Sequence, residues 1–338
     1  MKTPFLMTAL MCAMVLGVPA LARAAHAPKA SPDLSVQKWY GNAIDYSGYR
    51  EGQTPKLKKF PTQAQILEDL KILKRNWKLI LLYGGDQHSR DVLEVIQKNK
   101  LGIKVVVGLW LDGHPGFEAE NAEQVATAIE LANRYPKIVL AVNVGNEILV
   151  TWSDHKLTED KAIEYVEQVR KAVKCPVTVA DDFLYWRQPE AKLADHVDFI
   201  IMHAYPMWGH EDIDTAMAST IKDFESVRKA HPGKTIVIGE AGWASYSVGD
   251  QHVPRAGDEV KQKRYYEGLN AWSKANNVTT FYFEAFDEPW KGTGTEGHWG
   301  LFSVDRKAKL AMQVLYPDLM PTGPTSPSYD APAAPAAR

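Results

Sequence analysis

The sequence predicts an α/β fold, a single-domain (β/α)8 TIM barrel. Three observations carry that expectation. Eight short, β-rich apolar runs recur along the chain. Stretches with helical apolar spacing separate them. The turn after the first run, Tyr46-Ser47-Gly48-Tyr49-Arg50, has none of the glycine pattern that an open doubly wound sheet usually shows there, which leaves that sheet as the alternative.

The runs are Asn42–Tyr46, Lys78–Tyr83, Ile103–Leu109, Ile138–Val144, Val177–Ala180, Val197–His203, Thr235–Gly239 and Thr279–Phe283. Val105-Val106-Val107 and Ile236-Val237-Ile238 are apolar on both faces, as parallel strands covered on both sides require. Helices are expected at Gln63–Arg75, Asp91–Lys100, Ala119–Tyr135, Glu159–Val173, Thr215–Ala230 and Glu259–Asn276. Thr62 and Thr158 supply capping signals for the first and fourth of these. After the fifth run, Gln188–Asp195 supports a short helix at best.

The ends of the chain read differently. Residues 1–25 resemble a secretory signal peptide: Lys2, an apolar stretch from Phe5 to Val18, then small-residue cleavage sites at Ala20-Leu21-Ala22 and Ala22-Arg23-Ala24. Met11 before Cys12 argues against a lipoprotein signal. Removing this segment leaves one cysteine, Cys175, so stability must come from packing. The catalytic domain is expected over 26–316. A flexible tail is expected over 317–338, where six prolines are set among Ala, Ser and Thr. No other run is long enough to cross a membrane. The expectation is an exported monomer, periplasmic or secreted.

The chain has 338 residues, with 39 basic and 41 acidic side chains and a formal net charge of -2. A nucleic-acid binder usually shows a basic excess, so that class is disfavoured. There is no HExxH or other compact ligand spacing among the 10 histidines, no Walker loop and no GxSxG elbow. No metal and no cofactor is expected.

In a barrel the chemistry sits where strands end. Those ends carry carboxylates and indoles: Trp110 to Gly113, Asn143 to Glu147, His203 to Trp208, Gly239 to Trp243 and Glu284 to Lys291. Sugar rings stack on indoles, and sugar hydroxyls bond to carboxylates and amides. Glu147 and Glu240 each follow an apolar strand directly and are the candidate catalytic pair. Glycosidic cleavage needs one carboxyl to protonate the leaving oxygen and a second to attack or assist at the sugar carbon. Two carboxyls held close cannot both ionise easily, so one is expected to be pushed upward as an acid. Trp208, Trp243, Trp290 and Trp299 follow strand ends and are candidates for sugar stacking. Trp39, Trp77 and Trp272 read as packing residues. His203 reads as a satisfied strand-end histidine, and Asp181-Asp182 as loop-holding carboxylates.

These motifs carry a resemblance. Asn146-Glu147 after the fourth strand, with Glu240 after the seventh, resembles the clan of retaining barrel glycosidases. Gly239-Glu240-Ala241-Gly242-Trp243-Ala244-Ser245 resembles the nucleophile motif of family 17 glycoside hydrolases, the β-1,3-glucanases and their relatives. Tyr46 to Gln53, His203-Ala204-Tyr205-Pro206 and Phe283 to Lys291 are similar to further motifs of that family, in family order from about Tyr40 to Phe302.

The resemblance implies roles. Glu240 would be the nucleophile, and Glu147 the general acid and then base. Asn146 would hold a sugar hydroxyl, and Tyr205 would orient the nucleophile. Glu284, Glu288 and Lys291 would bind hydroxyls and tune charge. Tyr46, Trp208 and Trp243 complete the expected substrate-binding set, with Trp208 and Trp243 lining an acceptor site. Glu296 is a further candidate. The implied partner is a β-glucan oligosaccharide or polysaccharide, with bacterial members acting by hydrolysis or transfer. A same-clan enzyme acting on mannan or xylan, and a glucan-binding barrel without catalysis, remain open alternatives.

Overall fold

The computed structural model describes residues 42–248 and 256–322. Eight parallel strands close into one barrel in chain order. They are β1 (Asn42–Asp45), β2 (Leu79–Leu82), β3 (Lys104–Gly108), β4 (Val139–Asn146), β5 (Val177–Asp182), β6 (Ile200–His203), β7 (Ile236–Ala241) and β8 (Thr280–Tyr282). Closure is visible at β1, where Ala43 is in register with Leu79 on one side and Phe281 on the other.

The helices are α1 (Gln63–Leu73), α2 (Gln87–Asn99), α3 (Glu118–Arg134), α4 (Glu159–Ala172), α5 (Phe183–Trp186), α6 (Ile213–Ala230) and α7 (Glu259–Asn276). Side-chain oxygens satisfy N–H groups in the first turn of most of them. Thr62 and Gln65 form a capping box on α1, and Thr158 caps α4. α2 starts earlier than its apolar spacing suggests. Asp86 caps it, and its first turn buries the polar side chains of His88 and Ser89, which carry no hydrophobic periodicity. α5 is a single turn capped by Asp182, and a 3-10 turn at Lys192–Asp195 follows it. After β8 the described chain holds only 3-10 turns.

Apolar packing fills two compartments. Ala43, Leu79, Leu81, Val106, Ala141, Phe199, Ile201, Val237 and Phe281 form a cluster inside the barrel. The alternate residues, such as Ile44, Ile80, Leu82, Val105 and Val107, join the larger cluster beneath the helices. Each fully buried aliphatic contributes about 1.5–3 kcal/mol. Strand side chains alternate between faces, so the inner face can be followed two residues at a time. It runs Ala43 to Asp45 on β1, Leu79 and Leu81 to Tyr83 on β2, Ala141 to Asn143 on β4, and Phe199 and Ile201 to His203 on β6. The interior therefore turns from apolar to polar at the C-terminal ends of the strands.

The segment after β8 folds back over the β8–β1 seam. Arg306 donates from Nε and Nη2 to the two oxygens of Asp69 on α1, both at 2.7 Å. Asp69 also accepts from Arg50 at 2.8 Å and from the Tyr46 hydroxyl at 3.1 Å. The Tyr316 hydroxyl donates to the carbonyl of Ile72. The first residues of the expected tail belong to this layer. Pro317–Leu319 form a 3-10 turn, Asp318 pairs with Arg75, and Leu319 and Met320 pack on the core. The expected signal segment 1–25 and the remainder of the tail lie outside the described residues.

Asp69 and Arg306 are both buried, so removing the aspartate strands the Arg306 charge away from water, whereas removing the arginine leaves Asp69 its pair with Arg50. Asp69→Ala should lower the unfolding free energy by about 3–5 kcal/mol in a urea titration. A loss of about 1 kcal/mol or less, the size of a surface ion pair, would show that this clamp does not close the seam.

Candidate active site

Glu240 is placed by an irregularity in β7. Met202 on β6 pairs with Ile238, but His203 pairs with Glu240, so β7 carries one extra residue at this level. The bulge brings Glu240 to the polar end of the interior. Gly239 lies beneath it for a steric reason: a Cβ there would sit 2.0 Å from Ile201 Cγ2 and 3.3 Å from the His203 ring. Glu240 is 5% exposed, and two hydroxyls grip it. Tyr83 donates to Oε1 at 2.9 Å and Tyr205 to Oε2 at 2.5 Å. Burial first, and then the Glu240 charge for Tyr205 and the Asp45 charge for Tyr83, push both phenols upward, so they stay donors.

Glu147 is aimed by a sharp turn at the end of β4. Gly145 has φ +112° and Glu147 itself φ +50°, a left-handed conformation that costs a non-glycine residue roughly 1–3 kcal/mol. The surrounding loop holds it there. Glu147 N donates to Ala180 O, Leu149 N to the Asp181 carboxylate and Leu157 N to Ile148 O. His155 Nε2 lies 3.0 Å from the Asn146 carbonyl oxygen. Asp181 and Asp182 thus hold loops: Asp182 accepts from Leu184 N, and burial lifts both carboxyls to about 7.

His203 lies between the two glutamates. It is fully buried, with Nδ1 3.1 Å from Glu147 Oε1 and 3.6 Å from Glu240 Oε2. Burial opposes its charge, but Glu240 and Glu147 outweigh that and hold the imidazole up at about 9. Burial likewise pushes Glu147 upward, but the hydrogen bond and charge of His203 hold it below its ordinary value. Carboxylate pairing alone pushes one acid upward; at Glu147 the structure differs, because His203, a third party which that reasoning left out, holds this carboxyl down instead. A ring nitrogen of His203 and one oxygen from each glutamate lie within 4.8 Å of one another. The imidazole shares a proton with Glu147, and both oxygens of Glu240 accept from tyrosines. The three groups form a hydrogen-bonded set, which a cation could enter only by displacing that proton.

A second charged cluster follows β8. Lys291 Nζ is 3.2 Å from Glu284 Oε1 and 2.6 Å from Glu288 Oε2, with both carboxylates buried. One ammonium cannot neutralise two buried anions. Burial and the neighbouring Glu288 push Glu284 well upward, and the two carboxylates push Lys291 upward despite its own burial. Asp45, inside the barrel at the end of β1, is driven well up by burial first and by the charges of Glu240 and Glu284 next. Glu296 is exposed on the same rim. The structure thus brings together Glu147, Glu240, Asn146 and Tyr205, with Glu284, Glu288 and Lys291 as a linked group. Asn146 is buried, and its Oδ1 has no hydrogen-bond partner among the described residues.

Two expected binding residues are elsewhere. Trp243 is 1% exposed, donates from Nε1 to Ala256 O at 2.8 Å and packs on Tyr265. Its ring has no face left for a sugar. Tyr46 is equally buried, and its hydroxyl is spent on Asp69 in the seam. Trp299 is also inside. It backs Tyr205 and Phe283, with ring centroids 5.2 and 5.9 Å away. Trp208 and Trp290 are half-buried and retain accessible surface.

The indoles that do face solvent are Trp110, 45% exposed, and Trp152, 54% exposed. They sit on the loops after β3 and β4, beside Glu147. Trp110 lies against His155 at 4.5 Å between centroids, and Trp152 acts on Glu147 through a hydrogen bond. Trp152 follows no strand end directly, so the strand-end filter passed over it. Tyr83 was legible from its parity with Leu79 and Leu81.

Known proteins resemble this chain in sequence and fold. Residues 43–300 match the model of the BtgE/BtgC glycoside hydrolase domain. A glucan 1,3-beta-glucosidase of Arthroderma benhamiae is 28% identical over 267 residues, covering 73% of this chain and 84% of that one. The chain spans less than half the length of the Aspergillus btgC relatives it matches. Among solved structures, an endo-laminarinase from Formosa Hel1_33_131 has a TM-score of 0.76 at 28% identity, covering 87% of this chain and 92% of that one. A family 17 β-1,3-glucanosyltransferase from Rhizomucor miehei has a TM-score of 0.68 at 25% identity, covering 80% and 95%. With the family model spanning the barrel from β1 past β8 and both glutamates within it, the chain belongs to the BtgE/BtgC glycoside hydrolase domain family.

Proposed function

We propose that this chain is a retaining β-glycosidase acting on β-1,3-glucan, with Glu240 as nucleophile and Glu147 as general acid and base. One observation carries the reading: carboxylate oxygens of the two residues lie within 4.8 Å of each other across the barrel mouth. A retaining pair stands roughly 5–5.5 Å apart, whereas an inverting pair leaves room for a water between. The relatives named as glucan 1,3-beta-glucosidase, endo-laminarinase and β-1,3-glucanosyltransferase support the substrate class. The family 17 resemblance and a bacterial, exported, monomeric protein with a signal at 1–25 and a catalytic domain over 26–316 complete the proposal.

The mechanism follows from placement. Tyr83 and Tyr205 fix both oxygens of Glu240, leaving the carboxylate one productive orientation toward the anomeric carbon. Attack forms a glycosyl ester while Glu147 protonates the departing oxygen. Glu147 then takes a proton from the incoming hydroxyl. Asn146 adjoins the acid at the end of β4, and Glu284, Glu288 and Lys291 offer further polar partners. Trp110 and Trp152 stand on the leaving-group side, next to the acid. Two exposed indoles there suit an acceptor sugar, which favours transfer over hydrolysis.

Incubation with laminari-oligosaccharides and sizing by mass should give products longer than the input. Unchanged oligosaccharides would overturn the reading. Glu240→Ala should lower kcat by about 10⁴-fold or more, and azide with an activated β-glucoside should then yield the α-azide. Glu147→Ala should lose about 10²–10⁴-fold on natural leaving groups and far less on activated aryl glycosides, with azide giving the β-product. Tyr205→Phe and Tyr83→Phe should each lower kcat about 10-fold or more, with KM little changed, as loss of a hydrogen bond to a charged group implies. Trp152→Ala should shift the transfer-to-hydrolysis ratio toward hydrolysis by about 3–10-fold, the worth of one aromatic contact.

A further inference from the structure

We propose that His203 is the positioning residue that stores the catalytic proton between the two glutamates and delivers it to Glu147 as Glu240 bonds to the sugar. This role rests on the assignment of Glu240 as nucleophile and Glu147 as acid and base. It adds a third member, from β6, which acts on substrate only through Glu147.

Geometry makes the case. The imidazole has no solvent exposure, so its proton does not exchange freely with water. Nδ1 reaches Glu147 at 3.1 Å and Glu240 at 3.6 Å, so one N–H feels both carboxylates and is hydrogen-bonded to the acid. Nε2, also buried, has no hydrogen-bond partner among the described residues, so charging the ring leaves an unpartnered N–H there, a cost that the two carboxylates facing Nδ1 must outweigh. Gly239 leaves the space the ring occupies.

The other groups around the ring are accounted for. From β5, Asp181 and Asp182 act on it, each engaged by backbone N–H groups. From β7, Glu240 is held by Tyr83 of β2 and Tyr205 of the β6 end. From β4, Glu147 faces it directly, and His155 acts on Glu147 from the far side.

The proton's path balances. In the resting site His203 is an imidazolium and both glutamates are anions. As a Glu240 oxygen bonds to the anomeric carbon, its carboxylate becomes a neutral ester, and one of the two charges holding the proton on Nδ1 disappears. The proton moves from Nδ1 to Glu147 Oε1 and on to the glycosidic oxygen, whose bond to the sugar breaks. The leaving group departs as a neutral hydroxyl, leaving a neutral imidazole, an anionic Glu147 and the ester. In the second half the acceptor oxygen attacks the anomeric carbon, and Glu147 takes the acceptor's proton. The Glu240 oxygen regains its charge, and the proton returns to Nδ1. Nucleophilic attack and acid catalysis are thereby coupled through one buried ring.

The sign of the pH effect follows. The stored proton is lost as pH rises through the His203 value of about 9, so wild-type kcat/KM should hold its plateau through pH 8 and fall above it. In His203→Asn the proton must sit on Glu147 itself, and a carboxylic acid, even one raised by a neighbouring carboxylate, gives it up at lower pH than an imidazolium held between two anions. The alkaline limb should move down by about two pH units or more, with KM little changed. At pH 8 the loss on laminaripentaose should reach about 10²-fold, against about 10-fold or less on a 2,4-dinitrophenyl glycoside that needs little protonation. A limb that stays in place, with equal losses on both substrates at every pH, would overturn the proposal and leave His203 a packing residue.

A second measurement needs no variant. In ¹⁵N-histidine-labelled wild-type enzyme, the solvent-shielded imidazole should be an imidazolium at pH 7. It should become neutral once a 2-deoxy-2-fluoro glucosyl donor traps the ester. A neutral ring in the free enzyme, or a charged one in the ester, would overturn the proposal. Wild type inactive on laminari-oligosaccharides would defeat the functional reading instead. An active wild type whose alkaline limb is unmoved in His203→Asn defeats only the role of His203.

Discussion

Two carboxylates with oxygens within 4.8 Å of each other, one of them buried, are the constraint to which the rest of this molecule answers. Like charges at that spacing repel strongly where the dielectric is low. The repulsion is offset by three donors from two strand ends and the residues just beyond them. Tyr83 follows β2, Tyr205 follows β6, and His203 ends β6. The two phenols donate without surrendering a proton, so they orient Glu240 and leave it anionic. The histidine brings a positive charge, which a tyrosine cannot. The division is chemical: neutral donors on Glu240, and an ionisable donor on Glu147, which matches the proposed roles of nucleophile and of acid and base.

The same problem is met differently beyond β8. Glu284 and Glu288 share Lys291, whose ammonium has three donors but a value far too high to release a proton near neutrality. Lys291 therefore keeps its charge, while burial and Glu288 raise Glu284 beside it, so a fixed ammonium stands between two buried carboxylates. Asp45 lies between this cluster and Glu240, with its charge opposed by both Glu240 and Glu284. Protonated, it separates the two anionic groups without adding a third charge.

How much of this was legible in the sequence depends on what each signal reports. Apolar runs report burial, so all eight strands were visible, and strand ends pointed to Glu147 and Glu240. They do not report which way a side chain leaves a strand end. Trp243 comes three residues after Glu240, yet the bulge in β7 and the turn at Gly242 carry it into the helix layer, where Ala256 takes its indole N–H. Tyr46 was misplaced for a simpler reason: one position beyond inward-facing Asp45, it points outward by plain alternation, to Asp69. Parity along a strand is readable from sequence; a bulge that resets parity is not. The tail shows a different limit. Proline-rich composition described the region from 317 onward, but the chain's attachment by Asp318 to Arg75, and by Leu319 and Met320 to the core, depends on partners hundreds of residues away.

Trp110 and Trp152 show why hydrolysis and transfer are decided outside the catalytic pair. Once the ester forms, water and a sugar hydroxyl compete for the same carbon, and Glu147 serves either as base. Water is present at far higher concentration, so a sugar wins only if binding holds its hydroxyl in place beforehand. An indole exposed to solvent costs apolar surface when no sugar is present and repays that when a ring covers it. Both exposed indoles stand on the Glu147 side, where an acceptor must lie for its proton to be taken. None of the residues that make the ester could supply that preference, because they treat the two acceptors alike. On the proposed mechanism, then, the outcome of the reaction belongs to the loops after β3 and β4, and the reaction itself to the ends of β4, β6 and β7.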